Sequence, residues 1–274
     1  MPEVSIRKRK ATLFQMNNCL ILGFGRSGTS MMGGLLEMSG YYTGDNSYQP
    51  RSSNPKGFFE DARINSINER IMEPFDGLEV PSGYSRSDKT YSPFKPRRGH
   101  RWLSYLPANL IIDNIDPLIA TEIQAVLNVS GAFAYKDPRF TYTLPVWTNF
   151  LGADTRFIVM FRNPALTVKS VLLECATAEY LNDFYIDEAL CYQLWSNSYR
   201  YIIENHLPVL KERILFVSYE QLIEDGDIRR LSEFLNTPVS RGFIEPLLNR
   251  SKSESACPAN IDELYQTLVR LSEI

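Results

Sequence analysis

The chain has 274 residues, of which 44% are AVILMFWYC and 22% charged, with 16 prolines and 15 glycines, so collagen-like, disordered and disulfide-scaffold classes are excluded. A formal charge of -3 and a pI near 5.6 leave no basic surplus for a dedicated nucleic-acid binder, and any anion site has to be local. Cys19, Cys175, Cys191 and Cys257 show no CxxC spacing, which points to buried thiols in a reducing, cytoplasmic setting, and no apolar run approaches the roughly 20 residues of a membrane span.

In chain order, residues 1–16 carry Arg7, Lys8, Arg9 and Lys10 and read as a solvated tail. The run Cys19-Leu-Ile-Leu-Gly23 suits a strand buried on both faces of a parallel sheet. Gly23-Phe-Gly-Arg-Ser-Gly28 is a loop, and Met31, Met32, Leu35, Leu36 and Met38 recur at helical spacing over 29–38, closed by Ser39-Gly40. Further strands are expected at 132–136, 156–161 and 213–218, separated by amphipathic stretches at 61–72, 109–127, 141–150, 166–178 and 187–206. Alternation of this kind builds a three-layer α/β sandwich with a central parallel sheet, similar to the P-loop NTPase architecture. Residues 75–104 break the rhythm with Pro81, Gly83, Pro93, Pro96 and Gly99, and they interleave aromatics with basic residues. They read as a lid or substrate loop inserted into one domain spanning 1–274.

A glycine-rich loop between a buried strand and a helix brings backbone N–H groups and the positive end of a helix dipole to an anion. Here Gly25, Arg26, Ser27, Gly28, Thr29 and Ser30 are the candidates. Two patterns fit the loop. As G-x-G-x-x-G it matches a dinucleotide fingerprint, with Asp45 about 20 residues on to hold a ribose, which implies an NAD(P)-dependent oxidoreductase. As a P-loop it lacks the lysine, replaced by Thr29, so triphosphate hydrolysis is disfavoured. A third reading is a nucleotide-binding module without chemistry.

The second anion element is Arg162 at the end of the 156–161 strand, with Ser170 two turns into the following helix if Pro164 starts it. With this Arg-x7-Ser spacing the chain resembles the sulfotransferases that use 3'-phosphoadenosine-5'-phosphosulfate, and Asn54-Pro-Lys-Gly-Phe-Phe-Glu60, Lys136-Asp-Pro-Arg139 and Val217-Ser-Tyr-Glu-Gln-Leu222 resemble their prokaryotic and carbohydrate-type branches. The resemblance implies that the glycine loop holds the 5'-phosphosulfate and Arg162 and Ser170 the 3'-phosphate, with Arg250 and Lys252 in a late basic loop over the nucleotide. It implies no metal, 3'-phosphoadenosine-5'-phosphate as product, and an acceptor hydroxyl on a small molecule, lipid, sugar or carrier-bound chain; the oligomeric state stays open.

Arg26 stands where better-known members of that family carry lysine, and a fixed guanidinium suits stabilisation of the leaving phosphate rather than proton donation. For the base, the histidine that cytosolic members place shortly after a strand lysine is absent, since Lys136 is followed by Asp137, Pro138 and Arg139. Glu60 is the favoured base, because it follows the first helix closely enough for the chain to bring it back over the loop mouth, with His100 as its rival and Asp137 as a further alternative. Glu60 and Asp61 also suit the cap of a helix starting near Ala62, and His206 suits a helix C-terminus before Leu207-Pro208.

Overall fold

In this computed structural model, which describes residues 16–48, 54–78, 91–224, 228–244 and 256–273, the first apolar run forms β1 (Cys19–Leu22), buried along its length. With β2 (Ala134–Lys136), β3 (Arg156–Phe161) and β4 (Ile214–Ser218) it makes a parallel sheet of order β2-β1-β3-β4. The helices in chain order are α1 (Thr29–Met38), α2 (Ala62–Met72), α3 (Pro117–Leu127), α4 (Phe140–Thr148), α5 (Pro164–Thr177), α6 (Glu188–Tyr201), α7 (Leu207–Leu210), α8 (Tyr219–Glu224), α9 (Arg229–Leu235) and α10 (Ala259–Glu273).

Side chains alternate across a strand, so each strand feeds two cores. Leu20, Leu22, Phe157, Val159 and Phe161 enter one, against Ile67 of α2, Ile123 of α3, Trp147 of α4, Trp195 of α6 and Leu264 of α10. Cys19, Ile21, Ile158 and Met160 enter the other, against Met32 and Leu36 of α1, Leu222 of α8 and Leu235 of α9. The result is the expected α/β sandwich, helices on both faces of a parallel sheet. Among the described residues no helix is long and apolar enough to cross a membrane.

Local chemistry sets the boundaries. Asp61 caps α2 by accepting the Arg63 N–H at 2.8 Å, and Asn163 caps α5 by accepting the Leu166 N–H, with Pro164 in the first turn. The helix expected over 109–127 starts only at Pro117, because Asp116 accepts the Leu118 N–H and the proline fixes the first turn. Strand β2 starts at Ala134 rather than 132: Tyr42 pairs with the stretch before it, donating to the Ala132 carbonyl at 3.0 Å, while the Phe133 carbonyl accepts the Cys19 N–H of β1 at 2.8 Å.

His206 is not a helix end: α6 runs on as a π-helical turn over Ile202–His206, and His206 Nε2 lies buried 2.8 Å from the Thr141 carbonyl. Within the stretch expected as a lid, residues 79–90 lie outside the described residues. Residues 91–104 pack into the body, with Phe94 and Leu103 buried and Arg101 paired with Glu69 and Asp76 at 2.7 Å each. Arg101 is therefore a core residue, not part of a solvated basic loop. The tail residues 1–15 likewise fall outside the described residues.

Candidate active site

Between β1 and α1 the chain turns through Gly23–Gly28, with Gly28 at φ 89° and Arg26 at φ 69°, a left-handed conformation that is costly for a residue with a Cβ. The close approach of two aromatics explains Gly25 and Gly28: a Cβ on Gly25 would lie 2.4 Å from the Trp102 ring, and one on Gly28 2.4 Å from Tyr219. Trp102 comes from the segment after residue 90 and Tyr219 from the start of α8, so two distant parts of the chain brace the loop.

Below the loop stands Tyr199 of α6, fully buried. Its hydroxyl lies 2.9 Å from the Met160 carbonyl and 3.0 Å from Ser27 Oγ, and it accepts the Phe24 N–H at 3.4 Å. Burial pushes the Tyr199 phenol well above its ordinary range, so it remains a donor. Ser27 thus faces the protein interior, while Gly25, Arg26, Gly28, Thr29 and Ser30 line a cavity of about 1270 Å³. Ser30 Oγ accepts from Asn54 Nδ2 at 3.0 Å, which ties the Asn54 segment to the first turn of α1.

Arg162 emerges from β3 into the same cavity, with its guanidinium 4.7 Å over the Tyr219 ring and 3.9 Å from Glu220 Oε1. Burial raises the Glu220 carboxyl despite that cation and the Asn163 N–H it accepts. Ser170 lines the cavity from α5 and accepts from Arg26 Nε at 3.1 Å, so the two expected anion elements touch. Glu174, one turn further on, has an oxygen 3.8 Å from Arg26 Nη1. Arg250 and Lys252 lie outside the described residues.

Glu60 also lines the cavity; one carboxylate oxygen is paired with Lys136 Nζ and the other accepts from Asn65 Nδ2 at 2.9 Å. The two other candidate bases point away from it. His100 is buried against Tyr180 and Phe184 with Nε2 2.6 Å from the Tyr180 carbonyl, and burial lowers its pKa. Asp137 is fully buried, accepts from Asn65, Asn68 and Arg139, and does not line the cavity; burial pushes its carboxyl up even with Arg139 beside it. Asp137 and Glu69 hold Arg139 at the cavity floor.

Asp45 does not do what the dinucleotide reading needs. It follows an isolated bridge rather than a strand beside β1, is largely exposed, faces Arg63 at 4.0 Å and lies outside the cavity. Lys136 as partner of Glu60, and Lys169, Glu174, Tyr199 and Tyr219, were not identified from the sequence as site residues. Glu174 was accessible in principle, since it follows Ser170 by one helical turn on the same face; nothing local marks Tyr199. Among the described residues no group of His, Cys, Asp and Glu is arranged to hold a metal ion.

Residues 19–241 match the sulfotransferase family. Among solved structures, the chain is similar to the sulfotransferase domain of the olefin synthase of Synechococcus PCC 7002, with 16% identity, 95% of this chain and 98% of that one covered, and a TM-score of 0.49. It is also similar to a sulfotransferase domain from the curacin biosynthetic pathway, at 16% identity over 90% of this chain and 82% of that one with a TM-score of 0.48. A sulfotransferase from Mycobacterium avium aligns at 16% identity over 94% of this chain and 75% of that one, with a TM-score of 0.45. No curated protein matches the chain.

Proposed function

This chain belongs to the sulfotransferase family, and we propose that it moves a sulfuryl group from 3'-phosphoadenosine-5'-phosphosulfate to an acceptor hydroxyl by in-line displacement. One observation carries the choice of donor: the glycine loop and the pair Arg162 and Ser170 open into a single cavity, so two anionic ends of one nucleotide can be held at once. The cavity exceeds the range of about 300–1,000 Å³ usual for one small ligand, which leaves room for donor and acceptor side by side.

The residues fit such a donor. Gly25, Gly28, Thr29 and Ser30 line the cavity at the start of α1, where the unpaired N–H groups of the first helical turn would hold the 5'-phosphosulfate, and glycine at 25 and 28 lets Trp102 and Tyr219 close against the loop. Arg162 and Ser170 would take the 3'-phosphate, and Tyr219, already stacked on Arg162, holds that guanidinium in place. When bound, the nucleotide supplies the activated sulfuryl group. Glu60 accepts the proton of the acceptor hydroxyl as the new oxygen–sulfur bond forms. Arg26, in the glycine loop, would stabilise the bridging phosphate oxygen as it takes the electron pair of the broken sulfur–oxygen bond. Lys136 and Asn65 fix the Glu60 carboxylate, and release of Lys136 frees one of its oxygens for that proton. The acceptor enters from the α2 side, past Ser66, Arg98 and Trp102, as a hydroxyl on a small molecule, lipid, sugar or carrier-bound chain.

Calorimetry tests the donor. 3'-Phosphoadenosine-5'-phosphate should bind at least about 10-fold more tightly than 5'-AMP, the difference expected from one set of charge-assisted hydrogen bonds to the 3'-phosphate. Equal affinities, or tighter binding of NAD, would remove the reading.

A further inference from the structure

The wall that carries Ser170 also carries an acidic side chain aimed into a cavity proposed to bind anions. Glu174 of α5 is 2% exposed and lines the cavity, and its carboxylate accepts the Tyr180 hydroxyl at 3.3 Å on Oε1 while Oε2 lies 3.8 Å from Arg26 Nη1. Ser170 and Glu174 are four residues apart on one helix, so they present one face, and Arg26 meets both: Nε donates to Ser170 Oγ and Nη1 faces Glu174. A guanidinium can engage two such partners at once because its donors lie in a rigid fork; an ammonium at the same place could not hold that orientation.

Arg26 itself sits in the left-handed region at φ 69°. Its side chain reaches α5, where Ser170 and Glu174 meet the guanidinium. A buried carboxylate beside an anion site opposes anion binding through charge repulsion. Its contribution has to come from what it does to Arg26.

We propose that Glu174 is a positioning residue that holds the Arg26 guanidinium in the orientation facing the breaking sulfur–oxygen bond, at the expense of some donor affinity. The inference rests on the donor and the Arg26 role proposed above. It predicts an unusual split. Glu174→Gln keeps the shape and the partner for Tyr180 but removes the charge that orients Arg26, so kcat should fall about 10-fold, the scale of a mispositioned catalytic group. Affinity for 3'-phosphoadenosine-5'-phosphate should be unchanged or higher, because the repulsion is gone. Loss of packing alone would weaken both.

The experiment is steady-state sulfuryl transfer, with a phenol as the acceptor probe, together with calorimetry of 3'-phosphoadenosine-5'-phosphate on wild type, Glu174→Gln and Tyr180→Phe. Tyr180→Phe deletes only the hydroxyl that orients Glu174 and should show the same split at about threefold. A kcat within twofold of wild type in Glu174→Gln, or kcat and nucleotide affinity falling together in folded protein, overturns the inference; if Glu174→Gln does not fold, the same criteria apply to Tyr180→Phe, for which a kcat unchanged from wild type is the refuting result. Failure of the wild-type chain to bind 3'-phosphoadenosine-5'-phosphate strikes the donor reading instead.

Discussion

Tyr199→Phe removes one oxygen from beneath the glycine loop and nothing else. The ring stays packed on Trp195, 4.8 Å away between centroids, so no cavity larger than a hydroxyl is made. The Ser27 hydroxyl and the Phe24 N–H lose the partner that now lies 3.0 Å and 3.4 Å from them, and the Met160 carbonyl loses one at 2.9 Å. Leaving a buried polar group unsatisfied costs about 1–3 kcal/mol, and the long Phe24 contact counts for less than the other two, so about 2 kcal/mol is the expected loss. For a chain of this size that corresponds to a fall in Tm of about 3–4 °C in a thermal melt. The loop should also lose its preset shape, and affinity for 3'-phosphoadenosine-5'-phosphate should drop by about 10-fold in calorimetry. Tyr142→Phe, which loses only a 3.5 Å contact between α4 and Ser198 of α6, is the control and should melt within about 2 °C of wild type. If Tyr199→Phe melts within about 1 °C of wild type and binds the nucleotide as well, the hydroxyl is not the support of the loop.

Three further outcomes can be checked directly. Glu60→Gln should cut sulfuryl transfer about 100-fold in a turnover assay with nucleotide affinity retained, while Arg162→Ala should chiefly weaken nucleotide binding; full turnover in Glu60→Gln moves the base elsewhere. His206 is lowered from 6.5 to about 4 by burial, the Thr141 carbonyl offsetting part of the effect, so the unfolded chain binds the extra proton first as pH falls. Stability should decline between about pH 6.5 and pH 4, by about 3 kcal/mol in denaturant titrations, and His206→Gln should flatten most of that slope. His100, also lowered by burial, contributes in the same direction.

Much of this molecule was legible as a string because it depends on local chemistry. The apolar runs at 19–22 and 156–161 are strands since they are buried on both faces, and α1 has the bounds its methionine and leucine spacing implies. Arg162 and Ser170 could be paired in advance because a strand end, a proline and two helical turns fix their relative placement within one unit of structure. The late helices were missed, although Ile261, Leu264 and Leu268 keep one face of α10 buried at helical spacing. What only the tertiary structure decided is which of several equivalent groups reaches the cavity. The sequence favours Glu60 over His100 and Asp137 only by chain proximity to the loop, and it is the packing of α2 and Arg139 around Asp137, and of Tyr180 and Phe184 around His100, that buries those two while Glu60 lines the cavity. Tyr199 beneath the loop, 172 residues from Ser27, and Glu174 behind Arg26 act through contacts between distant elements. Periodicity and local spacing carry no record of such contacts, because they arise only when the sheet order brings β1, β3 and the helices after them together.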